Sequence, residues 1–268
     1  MHSVIECFRR LILTSSLFLL AIGIVSACND SSNTWQRIQD SGTLRVGLDP
    51  TYPPFESLEG GELQGIDVDL INALANDLNL RVSISYFGYD GLYDALYTDQ
   101  VDILMSALVV LPEKTKDFSY GIPYFDAGQI LVSRAGEKFN NPNEIEDSTI
   151  AVELGAEGHT LANQWKRNKM NLVVTPYKSV EEALEAVINL DADVAIVDSV
   201  SGRLFAAYSP NLETGYQTIT TEPYALVVRS EDDDLLIHLN DSFEKLRSSG
   251  TLDRIFGKWL DSSDARPR

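Results

Sequence analysis

The 268-residue chain is poor in cysteine, histidine and methionine, with two, three and three of each. Cys7 lies in an apolar leader, so once that leader is removed Cys28 has no disulfide partner, and a small disulfide-stapled scaffold is excluded. Beyond the leader only His159 and His238 remain, and no clustered set of His and Cys ligands exists, which excludes zinc-type chemistry. No metal or other cofactor is expected. Basic residues are also scarce, with 21 Lys and Arg against 40 Asp and Glu and a net charge of −19. Loss of residues 1–27, with Glu6, Arg9 and Arg10, makes the charge one unit more negative. Nucleic acid and acidic membrane surfaces are therefore excluded as partners. Only one long apolar run is present, Leu11 to Val25, shorter than the roughly 20 residues a spanning helix needs.

That run follows Arg9 and Arg10 and ends in Val25-Ser26-Ala27-Cys28, the pattern of a secretory signal, 1–27, cut before Cys28. The Val-Ser-Ala-Cys sequence resembles the bacterial lipobox, in which the cysteine is acylated and becomes the new N-terminus. The alternative is an ordinary cleavage site beside an incidental cysteine. Residues 28–36 read as a polar tether. The expected location is extracytoplasmic, on the outer face of the cell membrane or in the periplasm, with membrane contact through the lipid anchor only.

From Thr43 onward short apolar strands alternate with amphipathic helices. Val68, Leu70, Ile71, Leu74, Ala75 and Leu78 recur at helical spacing between strands at 44–48 and 81–86, and a helix at 92–97 precedes a strand at 101–106. This alternation predicts a parallel sheet. After the polar segment 136–148 a second set follows: strand 149–153, helix 160–168, strand 171–176, helix 180–190, strand 194–197. Extended stretches at 120–133 and 223–229 carry the chain from one set to the other and back, before two last helices at 234–247 and 252–260. The expected organisation is two α/β lobes, the first built from 37–126 and 221–262, the second from 127–220, with a tail at 263–268.

Seven segments carry a family likeness: LRVGLDPTYPPFE (44–56), GELQGIDVDLINALANDL (61–78), YDGLYDALYTDQVDILMSAL (89–108), DFSYGIPYF (117–125), IAVELGAEG (150–158), ADVAIVDS (192–199) and SSGTLDRIFGKWL (248–260). In this order and spacing the chain resembles the bacterial extracellular solute-binding proteins of family 3, the periplasmic amino-acid-binding proteins of ABC transporters. The resemblance implies a type II fold, two α/β lobes joined by two hinge strands, that closes around a small ligand. It also implies an ABC transporter permease as partner and a monomer.

Ligand contacts are expected at strand ends and helix N-termini, which a parallel sheet gathers on one rim. Tyr52, Phe55 and Tyr89 occupy positions where the family stacks aromatic rings on its ligand, although Phe55 equally suits the core. Asp198 ends an apolar strand where the family's aspartate accepts the ligand's α-ammonium; a helix N-cap is its alternative. Asp49 ends another strand and suits either a cationic side chain or a turn. Gly155, Ala156 and Glu157 lead into a helix whose N–H groups suit an anion, though Ala156 replaces the family's threonine. Ser106, Ala107 and Leu108 form the loop where the family clamps a carboxylate with a serine or threonine and then an arginine. The matching positions are Val109 and Lys114, and lysine lacks the bidentate fork of arginine, so the clamp is degraded and a cationic or other polar solute competes with an amino acid.

An enzyme is the rival of another class, because dehydratases acting on cyclic amino-acid precursors share the fold. Against it, His159 and His238 have no adjacent nucleophile motif, and Glu153 and Glu157 also suit a strand and a helix start. A sensory receptor would need a second span and a signalling segment.

Overall fold

The computed structural model describes residues 33–137, 139–168, 171–215 and 217–260. The leader 1–27, Cys28 and the tail 263–268 lie outside the described residues.

The first helix, α1 (Thr34–Ser41), starts within the segment read as a tether. Asn33 caps it by accepting the Trp35 N–H at 3.0 Å, and the Trp35 ring stacks on His238 with centroids 4.2 Å apart. Residues 34–36 are thus helical, because Trp35 has a buried surface to cover.

Two five-stranded sheets organise the rest. In the first, β1 (Thr43–Leu48) lies between β5 (Arg81–Tyr86) and β6 (Ile103–Leu104), all parallel; β15 (Val227–Arg229) adds antiparallel to β6, and β7 (Phe118–Tyr120) adds antiparallel to β15. In the second, β10 (Thr149–Glu153) lies between parallel β11 (Val173–Tyr177) and β12 (Val194–Asp198); β9 (Gln129–Arg134) adds antiparallel to β12, and β13 (Leu212–Thr214) adds antiparallel to β9. Both sheets are therefore mixed, not purely parallel. β15 in the first sheet and β9 in the second are the strands by which the chain enters each lobe from a crossing, and both run against the parallel strands, so neither needs a crossover helix. The crossings pair with each other: β8 (Phe125–Asp126) runs antiparallel to β14 (Pro223–Tyr224). These are two α/β lobes joined by two hinge strands. A three-stranded sheet, β2 (Thr51–Tyr52), β3 (Glu56–Glu59) and β4 (Glu62–Gln64), fills the region read as a Pro-rich turn.

Each five-stranded sheet is covered on both faces. Leu44, Val46 and Leu48 pack with Ile71 and Leu74 of α2 (Ile66–Asp77) and with Leu239 and Phe243 of α7 (Asp233–Ser248), so the chain's end completes the first lobe. Leu92 and Leu96 of α3 (Leu92–Tyr97) cover its other face against Leu104 and Val227. In the second lobe Ile130 and Val132 join the buried residues of α5 (Val180–Ile188), while Leu131 faces Ile150, Val152 and Ala162 on the other side. This alternation is the period of two expected of strands.

Asp102 has no exposed side-chain surface, and it ties β1 to the start of β6. Its Oδ1 accepts from Arg45 Nη2 and Arg37 Nη2, each at 2.6 Å, and Oδ2 accepts the Arg45 backbone N–H at 2.9 Å. Burial opposes ionisation here, yet the bonds from Arg45 and Arg37 hold the carboxyl below its ordinary range. The stability it adds is therefore present above the unfolded aspartate pKa of about 3.9 and is lost as pH falls below it. Asp102→Ala is expected to lower unfolding free energy by about 3 kcal/mol at neutral pH. Urea titration should show a lower midpoint with an unchanged slope.

Candidate functional site

The segments that follow β1 and β6 and the second of the paired crossings border one cleft. A cavity of about 380 Å³ opens there, walled by Asp49, Thr51, Tyr52, Glu56, Tyr89, Ser106, Ala107, Val109, Glu222 and Tyr224. This size suits a small metabolite.

The walls are held by hydrogen bonds radiating from Asp49 and Ser106. Asp49 Oδ1 accepts from Thr51 Oγ1 and Oδ2 accepts the Tyr89 backbone N–H, both at 2.8 Å. Its own N–H donates to Ser106 Oγ at 2.9 Å, and that hydroxyl donates to Glu56 Oε1 at 2.7 Å. The Ala107 N–H donates to Asp67 Oδ2 at 2.7 Å, and the Tyr124 hydroxyl donates to the same oxygen at 3.0 Å. Ala107 sits at φ 45°, a left-handed conformation unusual for alanine, which turns its N–H inward onto Asp67.

Glu56 and Asp67 are almost fully buried, and Glu56 Oε2 and Asp67 Oδ1 each lack any donor among the described residues. Two ionised carboxylates would leave both oxygens unpaired and the like charges unscreened. One shared proton, carried by Glu56 and donated to Asp67, resolves both problems. Burial first, and then the neighbouring Asp67 charge, push Glu56 far above the ordinary carboxylate range; burial likewise raises Asp67. Burial and the Asp67 charge also hold Tyr124 protonated.

Aromatic rings form the other wall. Tyr52 stacks on Phe55 at 5.7 Å, Phe55 meets Phe125 and Tyr224 edge to face, and the Tyr52 and Tyr224 hydroxyls lie 3.4 Å apart. Tyr52 and Tyr89 keep 44% and 51% of their surface exposed, so both present rings to the cleft.

The structure thus brings Asp49, Tyr52, Tyr89, Ser106 and Ala107 together on one cavity. Phe55 is fully buried beneath Tyr52 and Leu108 is fully buried in the first lobe, so neither forms a wall. Lys114 lies with its Nζ 4.2 Å over the Tyr93 ring, outside the cavity walls, and Val109 presents its side chain where the clamp hydroxyl was expected. Asp198 caps α6 (Ser199–Tyr208), with Oδ1 accepting the Ser201 N–H at 2.8 Å, yet its charge also acts on Tyr52, Tyr224 and Glu222 across the cleft. Gly155 (φ 88°), Ala156 and Glu157 form the turn into α4 (Glu157–Arg167); the Gly155 N–H is taken by His159 Nδ1 at 3.2 Å, and the Glu157 charge acts on Glu222. Thr51, Glu56, Glu222 and Tyr224 were not anticipated. Glu222 and Tyr224 open the second crossing, and a strand re-entering the first lobe must pass the cleft, which is the signal that could have found them.

Comparison with known proteins places this architecture. The sequence model of the bacterial extracellular solute-binding proteins, family 3, matches residues 44–262. The chain belongs to that family. Among similar proteins, a "probable histidine-binding protein" of Neisseria gonorrhoeae is 28% identical over 221 residues, 81% of this chain and 82% of the relative. The L-cystine-binding protein of Escherichia coli (strain K12) is 26% identical over 230 residues, 84% of this chain and 85% of the relative. An ancestral cyclohexadienyl dehydratase is similar in structure, with a TM-score of 0.76 and 26% identity over 86% of this chain and 97% of that one. Among the described residues of this family-3 protein no helix is long and apolar enough to cross a membrane.

A group whose folded pKa is raised contributes stability that is fully present below its unfolded pKa and is lost as pH rises. For Glu56 that loss begins above about 4.3. Glu56→Gln keeps a donor for Asp67 without its own titrating proton, so from about pH 6, where the Asp67 contribution is largely spent, to pH 8 its melting temperature should fall less than that of the wild type. Differential scanning calorimetry across that range checks the difference.

Proposed function

We propose that this family-3 protein captures a small polar solute of the amino-acid class between its lobes and delivers it to an ABC transporter. The observation that carries the reading is the cavity itself, walled by the first lobe and by the crossing that joins it to the second. Relatives named for histidine and L-cystine binding support it. Tyr52 and Tyr89 supply aromatic faces, Asp49 orders the loops, and Asp198 supplies a carboxylate from the second lobe for a ligand ammonium. Contacts from both lobes require closure about the paired hinge strands, and the ligand favours the closed form by its differential affinity for it.

The likeness to a dehydratase raises the enzyme reading, and binding is favoured over it by the placement of the titratable groups. His159 bonds to the Gly155 N–H and His238 stacks on Trp35, so neither lies on the cavity. Ser106 donates to Glu56 rather than to a base that would activate it. Incubation with cyclohexadienyl substrates is expected to give no product.

A thermal-shift screen of amino acids and related amines tests the binding reading; a ligand at 100 times its Kd stabilises by about 2.7 kcal/mol. Asparagine caps a helix as well as aspartate does, so Asp198→Asn removes charge and keeps the cap. It should leave the unliganded melting temperature unchanged and weaken binding by about 2 kcal/mol or more. Unchanged affinity would leave Asp198 as a cap alone.

The secretory leader and the acylation of Cys28 belong to the same proposal, resting on the Val25-Ser26-Ala27-Cys28 sequence. Cys28→Ser is expected to move the protein from the membrane fraction to the soluble fraction. A variant that remains membrane-bound with its leader intact would overturn the lipid anchor.

A further inference from the structure

Among the described residues the cavity walls contain carboxylates and aromatic rings but no Lys or Arg. An α-carboxylate entering it needs a cation or free N–H and O–H donors, and those the first lobe was expected to offer are engaged elsewhere. The Ser106 hydroxyl donates to Glu56, the Ala107 N–H to Asp67 and the Tyr89 N–H to Asp49. The Val109 side chain is aliphatic and adds no hydroxyl. Lys114 rests on the Tyr93 ring, and Arg203 lines a separate cavity behind the hinge.

The charges that remain are of one sign. Asp49 and Glu222 lie on the cavity, and Asp198, Glu157 and Asp126 surround Glu222. Burial, followed by the Glu157, Asp126 and Asp198 charges, raises the Glu222 carboxyl above its ordinary range. Acids act on Tyr52, Tyr89 and Tyr224 as well, Glu222 on all three and Asp198 on Tyr52 and Tyr224. The turn at Gly155 offers no escape, because Glu157 puts a negative charge on the first turn of the helix it opens. An entering carboxylate meets repulsion, whereas an ammonium or guanidinium group meets carboxylates and exposed tyrosine faces that favour cations.

We propose that the cleft recognises its solute as a cationic amine through Asp49, Glu222, Asp198 and the Tyr52 and Tyr89 rings, so that an α-carboxylate on the ligand adds nothing to affinity. This deepens the solute-binding reading and rests on it. The chemical class is a compact mono- or dication bearing an ammonium or guanidinium, with decarboxylated basic amino acids as its simplest members.

Isothermal titration of the purified full chain with two matched pairs, arginine against agmatine and lysine against cadaverine, with glutamine as the neutral amino acid, separates the outcomes. At least one decarboxylated amine is expected to bind as tightly as its parent or more tightly. Glu222→Gln should weaken that amine about tenfold while the unliganded melting temperature stays level or rises, because the charge it removes sits among other acids. Decarboxylation that weakens binding tenfold or more in both pairs would overturn the proposal, as would glutamine binding where no cation does; solute binding would stand in both cases. If neither the amines nor the amino acids bind, the proposal fails together with the reading beneath it.

Discussion

The floor of the cleft depends on one buried pair, Glu56 with Asp67. Glu56 begins β3 and Asp67 begins α2, and between them they engage the Ser106 hydroxyl, the Ala107 N–H and the Tyr124 hydroxyl. Four segments, namely β3 after the Pro-rich turn, α2, the loop after β6 and the first crossing, therefore meet on two carboxyl groups. Such a pair is stable in a buried setting only if the two share a proton, because desolvating two like charges side by side is prohibitive. Breaking one member leaves a buried charge or an unpaired acceptor, which makes the arrangement all or none.

The same pair determines what the cleft can offer a ligand. It draws the loop's donors inward, so the surface left facing the cavity is Val109, tyrosine rings and the carboxylates of Asp49 and Glu222. Acidic groups on a concave, partly desolvated surface act more strongly on an entering charge than they would in open water. Glu222 belongs to this field by virtue of the hinge: its N–H donates to Asp126 Oδ1 at 2.8 Å, and its carbonyl accepts the Ala127 N–H at 2.9 Å.

The hinge has its own steric requirement. Gly128 follows the first crossing, and a Cβ there would lie 2.1 Å from the Thr220 carbonyl oxygen. Only glycine permits the two crossing strands to approach that closely. Asp126 then binds the second crossing from the first, with Oδ2 accepting from Thr218 Oγ1 at 3.1 Å. The two crossings are thereby tied together at a narrow joint between the lobes.

The alternation of apolar strands with amphipathic helices, the order of the elements and the two crossings were legible in the sequence, because periodicity records burial along a local segment. So was the placement of Asp49, Tyr52, Tyr89, Ser106 and Ala107 at strand ends and loops. The hydroxyls of Tyr52 and Tyr89 pointed to the cleft, whereas Phe55, with no polar group, suited core and cleft alike until packing placed it in the core. The inward turn of Ser106 and Ala107, the seat of Lys114 on Tyr93, and the part that Glu56, Glu222 and Tyr224 play in the walls were decided by tertiary structure. Each depends on a partner 21 or more residues away, and a hydrogen bond or a shared proton across that separation leaves no local periodicity. What the sequence determined by itself was the two-lobed scaffold and the rim on which a site must lie; which donors face that site, and the sign of its field, followed only from the folded contacts.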